Sequence, residues 1–436
     1  MAHKTLIGGT AYNITGGKSL VSGTTYNISS GKTLIGGTSY NITLSKKPLY
    51  AMYYSDNSIV FQHNSSPASG KTLTKSYTNF DGQEFSNQSQ VPWNSYLNRV
   101  KSASFGENTS TKSMTYWFYN AQNLTSVNYT NLNIDSVINM RYAFGNCRNL
   151  TGSPICGDKT TSMAVTYLNC TNLTGSPVCG KNVTQMSSTY ANCYNLTGSP
   201  VCGDKVTIMY NTYNNCRKLT GSPVCGPNVV NMVNAYYNCI NLTGSAACGD
   251  KVTNMAYAYK ICTNLTGSPA CGNNVTNMHN AFGNCRNLTG SPVCGPNVVD
   301  MNNAYYYCFN IRGNPVCGNN VINMSSAYHS CYNITGNPVC GNNVTNLSYT
   351  YRYCYNLSGN MYIYSNNVTC ARGCFMNRNN SSSTAKRINI YVYKDSTTCE
   401  KFKISNTHSI VAKNVTWTTT DSGFYNTTQN LYIYYM

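Results

Sequence analysis

Asn254-Met255-Ala256-Tyr257-Ala258-Tyr259-Lys260-Ile261-Cys262-Thr263-Asn264-Leu265-Thr266-Gly267-Ser268-Pro269-Ala270-Cys271-Gly272 is answered 23 residues later by Asn277-Met278-His279-Asn280-Ala281-Phe282-Gly283-Asn284-Cys285-Arg286-Asn287-Leu288-Thr289-Gly290-Ser291-Pro292-Val293-Cys294-Gly295. From Val137 to Leu357 the same columns return ten times. Methionine recurs at 140, 163, 186, 209, 232, 255, 278, 301 and 324, with an aromatic column from Phe144 to Tyr351 and a cysteine column from Cys147 to Cys354. Within a unit the small residue, the aromatic and the cysteine follow methionine at i+3, i+4 and i+7, which predicts about two turns of helix. An apolar anchor follows, Leu150 through Leu357 with Ile311 and Ile334 as swaps. The Gly-Ser-Pro break and the Val-Cys-Gly end then predict a brief parallel strand closed by a turn. The aligned prolines keep that strand ladder short.

No unit can bury its apolar stripe alone, whereas stacked copies share one core. The expected fold is therefore an α/β repeat solenoid, leucine-rich-repeat-like, with one short helix and one short parallel strand per coil and β-rich pieces at both ends. Met255, Tyr259, Cys262 and Leu265 stand for its core, and Asn264 for an asparagine ladder that satisfies backbone groups at the bend. The run Asn-Val-Thr-Asn-Met-x-x-Ala-Tyr-x-x-Cys-x-Asn-Leu-Thr-Gly resembles the BspA-like class of leucine-rich repeats of bacterial surface proteins and of structural proteins of phages infecting Gram-positive bacteria. The resemblance covers more than half of the chain.

Residues 1–45 carry a second repeat of period 14: Lys4 to Ile14, Lys18 to Ile28 and Lys32 to Ile42, each with two β runs around a Gly-Thr turn. This triplet resembles the N-terminal tags of tail-associated phage proteins, which implies virion docking through Tyr12, Tyr26 and Tyr40. A flexible polar leader is the alternative. Residues 46–113 form a β-rich segment and cap, with a cap helix expected over Pro92–Val100. The solenoid spans 114–360, opening on a degenerate coil of Met114, Phe118, Ala121 and Leu124. Residues 361–436 read as a closing cap with half-buried strands at Arg387–Tyr393 and Leu431–Tyr435.

Charged residues make up only 10% of the 436, yet the net charge is +18. Such a surface is solvated by Asn, Ser, Thr and Tyr. The excess suggests an anionic partner such as teichoic acid, nucleic acid or acidic glycan, or simply basic ends on a neutral array. Twelve carboxylates and five histidines offer no acid–base pair, and Asp158, Asp204 and Asp250 each precede a lysine in one solvated turn. No enzyme, metal or cofactor is expected. Cys370, Cys374, Cys399 and His408 lack the spacing of a zinc site. Both cysteine columns are expected as free thiols, although the Cys156 to Cys340 column would lie within disulfide range from coil to coil.

Tyr237, Tyr306, Tyr307, Tyr349, Tyr353 and Tyr355 fall beside core positions and are candidate ligand-binding residues, since tyrosine among asparagine makes a rigid amphipathic surface. Packing between coils is the alternative. The start Met1-Ala-His-Lys-Thr-Leu-Ile-Gly-Gly does not read as a signal peptide, and no run is long enough to span a bilayer. The resemblance implies a virion protein of tail-fibre type. Its expected partners are other virion proteins, a host-surface glycan or protein, and further copies of itself, without nucleic acid or membrane insertion. A head fibre and a bacterial adhesin are the rival expectations.

Overall fold

The computed structural model describes residues 3–7, 10–14, 18–21, 24–30, 43–376, 386–394, 396–398, 400, 418–426 and 431–435. It divides into two units, residues 1–173 with 180–183, and 174–179 with 184–436.

The first unit opens with antiparallel pairs. β1 (His3–Ile7) pairs with β2 (Thr10–Ile14), and β3 (Lys18–Val21) with β4 (Thr24–Ser30), which β5 (Thr43–Lys46) extends. The first two 14-residue repeats thus fold as hairpins; of the third, residues 32–42, including Tyr40, lie outside the described residues. A five-stranded sheet follows in the order β10-β9-β7-β6-β8, built from β6 (Tyr50–Tyr54), β7 (Ser58–Gln62), β8 (Leu73–Tyr77), β9 (Ser102–Phe105) and β10 (Ser126–Asn128). Phe61 of β7 stacks on Trp117 at 4.6 Å and meets Trp93 edge-on at 5.2 Å. The helix expected over Pro92–Val100 is replaced by a single 3-10 turn, Asn94–Tyr96. Trp93 explains the departure: its ring is fully buried, and its indole N–H donates to the Trp117 carbonyl at 2.8 Å, so the segment folds around that anchor. The degenerate coil is present, with Met114, Phe118, Ala121 and Leu124 fully buried and Phe118 stacked on Phe144 at 5.3 Å.

In the second unit the coils repeat as expected but are not built from the expected elements. Met255, Ala258, Tyr259 and Cys262 are all fully buried, yet no helix forms around them. A helix would send each amide to the carbonyl four residues back. Here the Ala258 amide donates to Met255 at 2.9 Å and that of Cys262 to Tyr259 at 3.0 Å, closing β-turns. The amides of Met255, Tyr257, Tyr259 and Ile261 go instead to the carbonyls of Asn277, His279, Ala281 and Gly283 in the next coil, at 2.8 to 3.0 Å. Aiming alternate amides along the stack requires Tyr257 at φ +59° and Ile261 at φ +65°. Each such residue costs about 1–2 kcal/mol, which four inter-coil hydrogen bonds at about 1 kcal/mol net offset.

The strand expected at Val-Cys is also absent. Single parallel bridges lie one residue before the methionine column, such as Asn254 with Asn277 and Asn277 with Asp300. At the Val-Cys position a tyrosine hydroxyl replaces the ladder: that of Tyr213 accepts from the Val201 amide at 3.1 Å and donates to its carbonyl at 2.6 Å. Glycine closes the segment because the coils approach too closely for a side chain. A Cβ on Gly272 would lie 2.5 Å from the Gly249 carbonyl oxygen.

Beyond the last coil, β11 (Gly359–Ile363), β12 (Ile388–Val392) and β15 (Leu431–Tyr435) run parallel, and β14 (Gly423–Asn426) and β13 (Thr418–Thr420) continue the sheet antiparallel. Met361, Ile390 and Ile433 are buried on one face, while Tyr362, Tyr391 and Tyr434 stack in a row at 4.6 and 5.3 Å. The expected half-buried strands are present.

Candidate binding surface

The coil geometry fixes every column's chemistry. First-column thiols donate to the carbonyl of the aromatic residue one coil back, as Cys262 does to Tyr236 and Cys285 to Tyr259, both at 3.0 Å. Burial pushes Cys262 up to about 12, so it is a hydrogen-bond donor and not a nucleophile. In the second column Cys248 accepts the Gly272 amide at 3.2 Å and lies 3.8 Å from the Met255 sulfur; burial holds it at about 12. Every described cysteine is a free thiol. Cys370 contacts Ser348, Cys374 is buried, and Cys399 and His408 lie outside the described residues.

The Asn264 column does bond from coil to coil, as at Asn333 to Asn310 and Asn356 to the Tyr332 carbonyl, but it runs outside the core. Asn264 itself is exposed and reaches Asn241 only at 3.4 Å. The tighter ladder occupies the positive-φ column, with Asn215 donating to Asn192 at 2.8 Å and Asn238 to Asn215 at 2.7 Å. Asparagine tolerates that conformation better than other side chains. Its amide also matches a copy of itself one coil away. That column is legible in the sequence as the residue before each first cysteine, but the helical reading gave it no task.

Five of the six candidate tyrosines come together. Tyr306, Tyr307, Tyr349, Tyr353 and Tyr355 share a surface with Phe309, His329, Tyr332 and Arg352, whereas Tyr237 sits on an earlier coil. Phe309 stacks on Tyr332 at 4.8 Å and Tyr332 on Tyr355 at 5.2 Å, so these rings spend their faces on one another and offer edges and hydroxyls outward. Arg352 lies 4.9 Å from the Tyr353 ring centre and 5.5 Å from that of Tyr349. Burial, and then the Arg352 charge, lowers His329 to about 4, which leaves it neutral at ordinary pH. Burial, and then Tyr307, raises Tyr306 to about 12. The surface is thus a half-buried patch of neutral rings and hydroxyls carrying the Arg352 guanidinium, suited to noncovalent recognition of a hydroxyl-rich partner. Phe309, Tyr332 and Tyr355 stand 23 residues apart, and that spacing was the signal available for the first two. Asp158 makes a surface ion pair with Lys181 at 2.6 Å, in keeping with a solvated turn. The chain of Tyr257, His279 and Asp300 was not legible, because a turn and not a helix aligns it; His279 lies 2.8 Å from the Tyr257 hydroxyl and 3.7 Å from Asp300.

No family model matches this chain, and no curated protein matches it. A solved structure of a leucine rich cell surface protein from Faecalibacterium prausnitzii A2-165 is similar over 73% of this chain and 95% of its own, with a TM-score of 0.37 and 14% identity.

Proposed function

We propose that the chain is a non-enzymatic attachment protein of a phage particle, of tail-associated type, that presents its stacked coils to a host-surface glycan or protein. The observation that carries this reading is the ring cluster of Tyr306, Phe309, Tyr332, Tyr353, Tyr355 and Arg352, held in register by a backbone ladder whose alternate amides are committed to the next coil. Binding groups fixed in this way lose little entropy on contact. The 14-residue repeats at residues 1–45 supply the docking piece, on the strength of their resemblance to phage tail-protein tags. Among the described residues no helix is long and apolar enough to cross a membrane.

Deleting residues 1–45 tests the docking half, with a folded protein absent from purified particles as the expected result. Tyr332→Ala with Tyr355→Ala tests the contact half and is expected to lower binding to host cells at least tenfold. Full incorporation of the deleted chain into particles, or unchanged cell binding by the double variant, contradicts the corresponding half.

A further inference from the structure

An open groove of about 580 Å³ runs along the stack on the second unit, lined by Thr253, Asn274, Thr276, Asn297, Val299, Asn320, Ile322 and Asn343. We infer that it is a second binding site, for a neutral linear polysaccharide lying parallel to the stacking direction. This inference rests on the attachment reading for its setting and names the ligand class that reading leaves open.

The two walls are residue columns two positions apart, so their side chains share one side of the chain. On one wall Asn274, Asn297, Asn320 and Asn343 each donate one amide hydrogen to a carbonyl of the preceding coil, at 2.8 to 3.0 Å. That bond fixes the amide plane and leaves Oδ1 and the second N–H for a ligand. On the other wall Thr253 and Thr276 turn their hydroxyls onto the carbonyls of Val230 and Thr253, at 3.3 and 3.1 Å. With the hydroxyl so engaged Thr253 and Thr276 show methyl groups, and valine and isoleucine take their place at 299 and 322. Val299 and Ile322 are 39% and 46% exposed, whereas the methionine, first-cysteine and Leu/Ile columns of the same coils are fully buried, so the apolar surface of this wall faces out.

A methyl rail facing an amide rail matches a sugar chain, which has an apolar C–H face and hydroxyl edges. None of the eight lining residues is charged, although the chain as a whole carries +18, so the groove selects for neutrality. Its period also selects. Coils stacked at about 4.8 Å present one asparagine and one methyl-bearing Thr, Val or Ile per step, close to the length of one pyranose residue, whereas an extended peptide repeats its side chains every ~6.7 Å and falls out of step.

The test is titration of the purified full chain with labelled cellohexaose and chitohexaose. A labelled neutral Ser/Gly hexapeptide and hyaluronan serve as competitors of other chemistry. Saturable binding of at least one neutral hexasaccharide is expected, at least tenfold weaker for the disaccharide and little affected by salt. Val299→Glu and Ile322→Glu, both on the open wall, are expected to weaken it at least tenfold without lowering the melting temperature. Failure of the wild type to bind either hexasaccharide, preference for the peptide or hyaluronan, or indifference to both substitutions overturns the inference. If host-cell binding survives these variants but is lost on substituting Tyr332 and Tyr355, the attachment reading stands without the groove. Intact oligosaccharide binding in a protein that reaches neither particle nor cell leaves the groove and removes that reading.

Discussion

At the residue scale the buried hydroxyls and thiols define what each column is for. Tyr236 and Tyr305 bond both backbone groups of Val224 and Val293, twelve residues upstream, but Phe282 carries no hydroxyl to reach Ala270 at the same position. Phe282→Tyr is therefore expected to stabilise the protein by about 0.5–1.5 kcal/mol, and Tyr305→Phe to destabilise it by about 1–3 kcal/mol, as read from urea midpoints. The thiols give a pH dependence of definite sign. An unfolded cysteine titrates near pH ~8.5, while burial holds Cys262 at about 12. Between those values only the unfolded state has released its proton, so stability is complete below about pH 8.5 and falls as pH rises toward 12. The urea midpoint is expected to drop between pH 8 and pH 10.5, and to drop less in Cys262→Ala. A flat profile in the wild type contradicts the buried-donor role.

At the element scale the coil is a succession of β-turns locked to the next coil. Ile261 occupies, at φ +65°, the column that reads Asn215, Asn238 and Asn284 in neighbouring coils. Ile261→Asn removes a β-branched residue from a left-handed backbone and places an amide beside the Asn238 side chain. A gain of about 1–2 kcal/mol is expected, measurable as a higher melting temperature; a loss contradicts the turn geometry. This column also shows where reading the sequence stopped. The buried set of Met255, Ala258, Tyr259, Cys262 and Leu265 was legible, because burial follows from periodicity alone. The element was not, since spacings of three and four residues suit linked turns as well as a helix. The residues that could have separated the two were asparagines five before and one before cysteine, as at Asn280 and Asn284, which favour positive φ and mark no helix interior. The tyrosine cluster was legible in part, from positions beside the core; Phe309 and Tyr332 were marked only by their 23-residue spacing from Tyr355, and His329 joins only once the coils are stacked.

At the scale of the whole molecule the repeat makes one coil a removable unit within residues 184–376. Deleting 255–277 joins Asn254 to Met278 and keeps every column in register, so a cooperative melt is expected to survive with a lower midpoint. Deleting 255–266 shifts the columns against one another and is expected to abolish it. The function proposed for the molecule depends on where the chain is displayed, and immunogold electron microscopy addresses this most directly, with an antibody raised against residues 137–357 applied to a lysate of intact particles and host cells. Gold at the tail end is the expected result. Gold on the capsid would recast the protein as a head fibre, and gold on uninfected cells with bare particles would contradict the virion assignment and make it a bacterial surface adhesin.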